Sequence, residues 1–190
     1  MIKVIQYGQP TPPGFVEVDT TSRGPFKDLS PFYLGPYTWM DGPARMTCQV
    51  FENLWQYSKV YPQHTSNNHP TLEYYAWRDK GFASRRAERY PMGKGVKPLY
   101  SLWNGKRLDY VTARKVIYIP IYAELVLKTD SYRKLYNWVL QGYDIALRDF
   151  DGYDHVSQGM TLRDVMNTPK RSMGHGFVIY GLLTGELTNV

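Results

Sequence analysis

A single cysteine, Cys48, limits how this chain can hold itself together. Without a second thiol there is no intrachain disulfide, and a zinc site built from several cysteines is excluded. One thiol fits a reducing compartment, and Cys48 reads as a small buried residue rather than a reactive one. The fold must therefore rest on its packed interior. The 190 residues suffice for that, because a chain of this length buries about 70% of its unfolded surface. The length also matches one domain, residues 1–190. With 43% hydrophobic and 21% charged residues, global disorder, collagen and coiled coil are excluded.

Seventeen tyrosines, five tryptophans and seven phenylalanines stand in the chain. Such side chains suit half-wet clefts as well as cores, since Tyr and Trp join an apolar body to a polar tip. The formal charge is +6, which favours an anionic partner such as a nucleotide or nucleic acid. The opening residues lack a basic stretch followed by an apolar core, and no window approaches about 18 apolar residues. The expectation is a soluble cytoplasmic protein, of a cell or a virus, with no membrane partner.

Residues 2–7 and 15–20 alternate as strands around a Gly/Pro turn at 8–14, which predicts an N-terminal hairpin. Residues 22–47, dense in Gly, Pro and aromatics, read as a structured loop with room for one short strand. Helical spacing of Phe51, Leu54, Trp55 and Ser58 predicts a helix over 50–60, stopped by Pro62. A polar loop follows at 63–71, then a helix within 72–90 broken near Gly81, then a basic segment. A helix over 108–119 should end or kink at Pro120. Asp130 reads as the N-cap of a helix over 131–141, with Gly142 beyond it. Residues 143–148 read as a short strand. Thr161 and Asp164 form a capping-box pattern for a helix ended by Pro169, and 177–183 is a final apolar helix. The sum is α+β: one helix-rich domain with a small N-terminal sheet.

Three groups can carry chemistry. Glu52, Gln56 and Lys59 share one face of the first helix, beside Trp55. A carboxylate, an amide and an ammonium in one stripe make the wall of a polar cleft; the plain alternative is a solvated face. Asp149, Asp151, Asp154 and His155 crowd around Gly152. Like charges this close raise one another's pKa, which suits acid–base work; the plain alternative is a turn with aspartate caps. A calcium loop is disfavoured because its terminal Glu is missing. Basic residues gather from Arg78 to Lys115, among them Arg85, Arg86, Arg89, Lys94 and Lys97, with Tyr90, Tyr100 and Trp103 between them. Arginine for phosphate and aromatic rings for bases is a nucleotide or nucleic-acid pattern, with a solvated basic face as its alternative. No Walker loop, nucleophile elbow or paired-histidine zinc motif occurs, and the four histidines are scattered.

The order of several short motifs resembles the NADAR family, the YbiA-like N-glycosidases. Leu29-Ser30-Pro31-Phe32 stands where that family has an early Phe-containing stretch. Residues 52–59 keep a Glu, Gln and Lys at the family's relative positions, with Asn53 where the family has His. Lys97-Pro98-Leu99 followed by Trp103, the acidic region 149–155, and Met173-Gly174-His175-Gly176 before the last helix come in the same order. The likeness spans residues 29–183. The Trp-Gly of the family's acidic region is missing, with Tyr153 or Phe150 in place to substitute for the Trp. The chain also resembles phage-associated proteins.

The resemblance implies cleavage of an N-glycosidic bond in a ribosylated or ADP-ribosylated nucleotide or nucleic acid. It implies a carboxylate near ribose C1′, carried over to Glu52, and an acid for the leaving nitrogen, carried over to Asp149, Asp151 or Asp154. Lys59, Lys97 and Arg78 would hold phosphate, Trp55 or Trp103 would stack on the base, Tyr153 would line the pocket, and Gln56 would orient a ribose hydroxyl. No metal or cofactor is needed. A DNA-base glycosylase that flips its target, with DNA on the basic surface, and a non-enzymatic module that sequesters a nucleotide or binds nucleic acid are the other readings.

Overall fold

A computed structural model describes residues 1–187 of the chain. It mixes helix and strand with small sheets, an α+β protein. The chain opens with strands β1 (Ile2–Gln6) and β2 (Val16–Asp19), then the hairpin β3 (Tyr37–Asp41) and β4 (Ala44–Cys48). Helix α1 (Phe51–Tyr57) leads into three two-residue strands, β5 (Lys59–Val60), β6 (Thr65–Ser66) and β7 (His69–Pro70), and helix α2 (Leu72–Ala83). After a segment without regular structure come β8 (Tyr100–Trp103), β9 (Lys106–Leu108) and the short helix α3 (Tyr110–Ala113). Helices α4 (Ile119–Val126) and α5 (Asp130–Leu140), strand β10 (Ile145–Asp149), and helices α6 (Leu162–Asn167) and α7 (His175–Thr184) complete the order. These elements gather into two compact units, residues 1–31 with 119–187, and residues 32–118. Among the described residues no helix is long and apolar enough to cross a membrane.

The first unit is built on a parallel sheet in the order β1-β10-β2. All five residues of β10 are buried, as a central strand covered on both faces requires. Val4, Val18, Ile145, Ala146 and Leu147 form its core with Ile121, Ala123 and Val126 of α4 and Phe177, Val178 and Ile179 of α7. The expected opening hairpin is corrected: β1 and β2 run the same way, each pairing with β10 and not with the other. A tight turn joins only antiparallel strands, so residues 7–15 must run back along the sheet. Arg148 of β10 holds that link. Its guanidinium donates to both carboxylate oxygens of Glu17 (2.9 and 2.8 Å), to the Gln6 and Gln9 carbonyls (3.2 and 2.6 Å) and to Thr11 Oγ1 (3.0 Å). The bonds from Arg148 and Thr11 hold the Glu17 carboxyl down at about 2, against its burial.

His155 is buried here, edge-on to the rings of Phe177 and Tyr180. Burial lowers its pKa, outweighing the opposite pull of Glu186 and Asp154. The unfolded ring takes its proton near 6.5 while the folded ring resists it, so this stability is intact above pH 6.5 and is lost as pH falls below it. Replacing His155 by Phe should flatten the acid side of a stability–pH curve measured by urea denaturation.

The second unit holds three small sheets: β3-β4, β5-β8-β9 and β6-β7. Asn-Asn at 67–68 and Asn-Gly at 104–105 turn two of these hairpins with positive φ at both residues, the backbone such turns need. The loop expected over 22–47 instead contains the β3–β4 hairpin. The first helix ends at Tyr57, before Pro62, because Lys59 and Val60 leave it to pair with Ser101 and Tyr100 of β8. Pro120 does not end the helix: it is the second residue of α4, which follows without a break on a π-helical turn at Arg114–Tyr118, a local widening of the helical ladder of the kind found at proline positions. Thr129, not Asp130, caps α5, whereas Thr161 and Asp164 form the expected capping box on α6.

Candidate functional site

Every residue of α1 is buried, yet Glu52, Asn53, Gln56 and Tyr57 are polar. Buried polar atoms must find partners, and the way these four do so defines the site. Gln56 Nε2 donates to Glu52 Oε1 (2.9 Å), and its Oε1 accepts from the Lys59 ammonium (2.7 Å). The amide is thus oriented by a carboxylate at one end and a cation at the other. Lys59 stands 4.7 Å from the centroid of the Trp55 ring, a cation–π contact. Lys59 lies past the helix, in β5, but its stem reaches back to the stripe expected from the sequence. Tyr110 leans on Trp55, and the buried Arg114 sits over Tyr110, 4.6 Å from its centroid.

The neighbouring stripe of α1 does structural work. Asn53 is fully buried. Its Nδ2 donates to the carbonyls of Gly81 (3.2 Å), Ser84 (3.3 Å) and Arg86 (2.9 Å), and its Oδ1 accepts from Glu88 N (2.8 Å). One turn on, the Tyr57 hydroxyl donates to Glu88 (2.5 Å). The Tyr57 ring lies so close to Gly81 of α2 that a Cβ there would fall within the ring. The end of α2 and the basic segment after it are therefore fastened to the helix that carries Glu52.

Burial pushes the Lys59 ammonium down to about 8; Glu52 pulls the other way and the charge of Arg89 adds to the depression. The sign follows from which state holds the proton. Unfolded Lys59 keeps it to about 10.5, so stability rises with pH between about 8 and 10.5 and the cost is constant below that. The span corresponds to roughly 3 kcal/mol. Cys48, pushed up to about 12 by burial, works the opposite way above pH 9. The test is therefore the difference between wild type and Lys59→Met in denaturant midpoints, which should shrink from pH 8 to pH 10.5.

The other expected site residues are placed differently. Arg78 pairs with Asp79 (2.9 Å) and Asp41 (3.7 Å) and lies over Tyr75 and Phe82. Trp103 stacks on Trp39 at 4.8 Å. Lys97 is exposed in the segment before β8. None of these contacts is with Glu52, Gln56 or Lys59.

The aspartates and Tyr153 belong to the first unit. Asp149 ends the central strand, buried; it accepts from Gly176 N (2.7 Å) and Asp151 N (3.3 Å) and lies 3.3 Å from His175 Nδ1. His175 Nε2 donates to the Thr20 carbonyl (2.8 Å). A Cβ on Gly174 would overlap the Asp149 carboxylate, which explains the glycines flanking His175. Asp154 pairs with Lys3 (3.0 Å) and accepts from Ser157 N (3.1 Å). Burial alone would raise its pKa, but the bonds from Lys3 and Ser157 hold it below the usual carboxylate range. The expectation that crowding raises it is corrected: its dominant neighbour is a cation. Tyr153 packs edge-on to Phe177 beneath the Arg171 guanidinium.

No family model, curated protein or solved structure matches this chain. Among the described residues no three His, Cys, Asp or Glu side chains gather as a metal site. The reading of function therefore rests on the Glu52 constellation. Asn53, named in the sequence only as a departure from the family pattern, has a structural role beside it. The available signal was an Asn where a buried helix face leaves no solvent to satisfy it.

Proposed function

We propose that the protein is an N-glycosidase that hydrolyses the bond between ribose C1′ and a base nitrogen in a ribosylated or ADP-ribosylated nucleotide, and that it is a divergent relative of the NADAR family. The observation that carries this reading is the buried Glu52–Gln56–Lys59 chain against Trp55. Breaking the C1′–N bond sends its electron pair to the nitrogen and leaves an oxocarbenium-like cation. A carboxylate fixed in a low-dielectric site stabilises that charge, and can take a proton from the water that adds to C1′. Gln56 fixes the Glu52 carboxylate, since its own carbonyl is held by Lys59. The Trp55 ring lies under the Lys59 ammonium beside them. Overall one water is consumed, its hydroxyl going to C1′ and its hydrogen to the leaving nitrogen.

The test is a turnover panel read by mass spectrometry: nucleosides, nucleoside monophosphates, NAD, ribosylaminopyrimidine phosphates, ADP-ribosylated guanosine in DNA, and modified-base DNA. Wild type should release free base and free sugar from at least one member, and Glu52→Gln should not. Binding without release in both proteins would leave the non-enzymatic, sequestering reading standing instead.

A further inference from the structure

The positive charge of the chain is not spread evenly. Residues 32–118 carry thirteen Lys and Arg against six Asp and Glu, and the rest of the chain ten against eleven. The excess behind the +6 therefore lies entirely in the second unit. The two units also treat their cations differently. In the first, Lys3, Arg148, Lys128 and Arg133 each pair with a carboxylate. In the second, Lys106 and Arg107 of β9 are exposed and pair with no carboxylate among the described residues. Neutral partners hold Arg107 instead. Its guanidinium lies over the Tyr100 ring, 5.0 Å from the centroid, and its Nη2 donates to His69 Nδ1 (3.0 Å). The Tyr100 hydroxyl is fixed in turn by donating to the Asn68 carbonyl (3.2 Å). A guanidinium positioned by a ring and an imidazole keeps its charge and most of its donors for something else. On the other face of the β8–β9 hairpin, Lys106 stands directly across from Trp103, which is half-buried and stacks on Trp39 at 4.8 Å. That face also holds Ser101, the partner of Lys59 across the β5–β8 pair. The hairpin thus belongs to the same sheet as the cation of the Glu52 site.

We propose that the β8–β9 hairpin is the centre of a surface that binds single-stranded nucleic acid, with Arg107 and Lys106 on phosphates and the Trp103 ring against a base. Tyr100 and His69 position Arg107. β9 is the edge strand of its sheet, so a strand crossing that edge meets Lys106 on one face and Arg107 on the other. Cations interleaved with aromatic rings suit a strand whose bases are unstacked: the cations meet its backbone, and a ring accepts the face of any base. A duplex offers phosphates but keeps its bases stacked on each other, so the ring goes unused. The major groove admits a two-stranded ribbon, but β5 makes this sheet three strands wide. The inference goes beyond the glycosidase reading and does not depend on it, since a strand binds here without losing a base.

The probe is a fluorescein-labelled DNA strand of mixed sequence, about 20 nucleotides long, read by fluorescence anisotropy over a range of salt. The double variant Lys106→Ala with Arg107→Ala should bind it at least about ten-fold more weakly than wild type and lower the slope of log affinity against log salt by about one. Trp103→Leu should lose about ten-fold with the slope unchanged. Trp103→Phe keeps a ring, should lose less, and carries the test if Trp103→Leu does not fold. Lys170→Ala removes an exposed cation of the first unit and should bind as wild type does. The same sequence as a duplex should bind at least about ten-fold more weakly than the strand. Wild-type affinity in the double variant, an equal loss in Lys170→Ala, wild-type affinity in both Trp103 variants, or a duplex bound as tightly as the strand overturns the inference. Strand binding that needs Arg107, with no base released from any substrate, sinks the glycosidase reading and leaves this one. Base release from a free nucleotide by a protein that binds no strand does the reverse.

Discussion

Glu52→Gln should lower turnover by about 1,000-fold while the protein stays folded. Stabilising a developing cation in a dry site is worth about 100-fold or more, and the lost base brings the combined loss to about 1,000-fold, the two effects of one carboxylate not being independent. The substitution keeps the shape of the side chain, and its amide oxygen can still accept from Gln56 Nε2, which now donates at 2.9 Å to Glu52. What disappears is the negative charge. Lys59 loses the neighbour that favours its charged form, so its pKa should fall further. The stability cost should be on the order of 1 kcal/mol, the scale of one altered hydrogen bond. The measurement is a single-turnover rate beside a urea midpoint. A rate within ten-fold of wild type would remove Glu52 from the chemistry.

Asn53→Ala should be the most destabilising small change in the second unit. The Ser84 carbonyl and the Glu88 N–H lose the partner that Asn53 supplies. The Gly81 and Arg86 carbonyls retain bonds from Ser84 N and Ser84 Oγ. Two part-buried groups stripped of a partner, together with the void left in a fully buried position, cost about 2 kcal/mol. That is a large part of the roughly 5–15 kcal/mol that holds a domain together. Asn53→Asp should be worse than Ala, although nearly isosteric, because it sets a carboxylate against three carbonyl oxygens. Tyr57→Phe, which gives up only the bond to Glu88, should cost about 1 kcal/mol. That ordering, read from denaturant midpoints, separates a hydrogen-bond clamp from simple packing.

The elements that local chemistry specifies were readable in advance. The Thr161–Asp164 box, Gly142 just past α5 and the stripe of Glu52, Gln56 and Lys59 all depend on residues a few positions apart. What was missed depends on partners far along the chain. Two alternating strands near a Gly/Pro turn look like a hairpin, and nothing local says that each pairs with residues 145–149 instead. The Asn-Gly at 104–105 was a local signal that went unused; it marks the β8–β9 hairpin. The candidate site divides the same way. The cluster of aspartates is visible as a charge pattern, but Asp154 pairs with Lys3, 151 positions away, and Asp149 with the start of α7, 27 positions on.

The order of strands β1-β10-β2 has a consequence for synthesis. The strand that joins the other two is made last, after all of residues 32–118. Those residues contain every strand partner they need, so they can settle while the chain is still growing. The first two strands emerge early and wait with unpaired edges until Ile145 and its neighbours arrive. Such distant pairing slows folding and exposes strand edges to other chains. A nascent chain halted before Ile145 should thus carry a folded middle and an unformed sheet, a state open to chaperones and to proteases at its beginning.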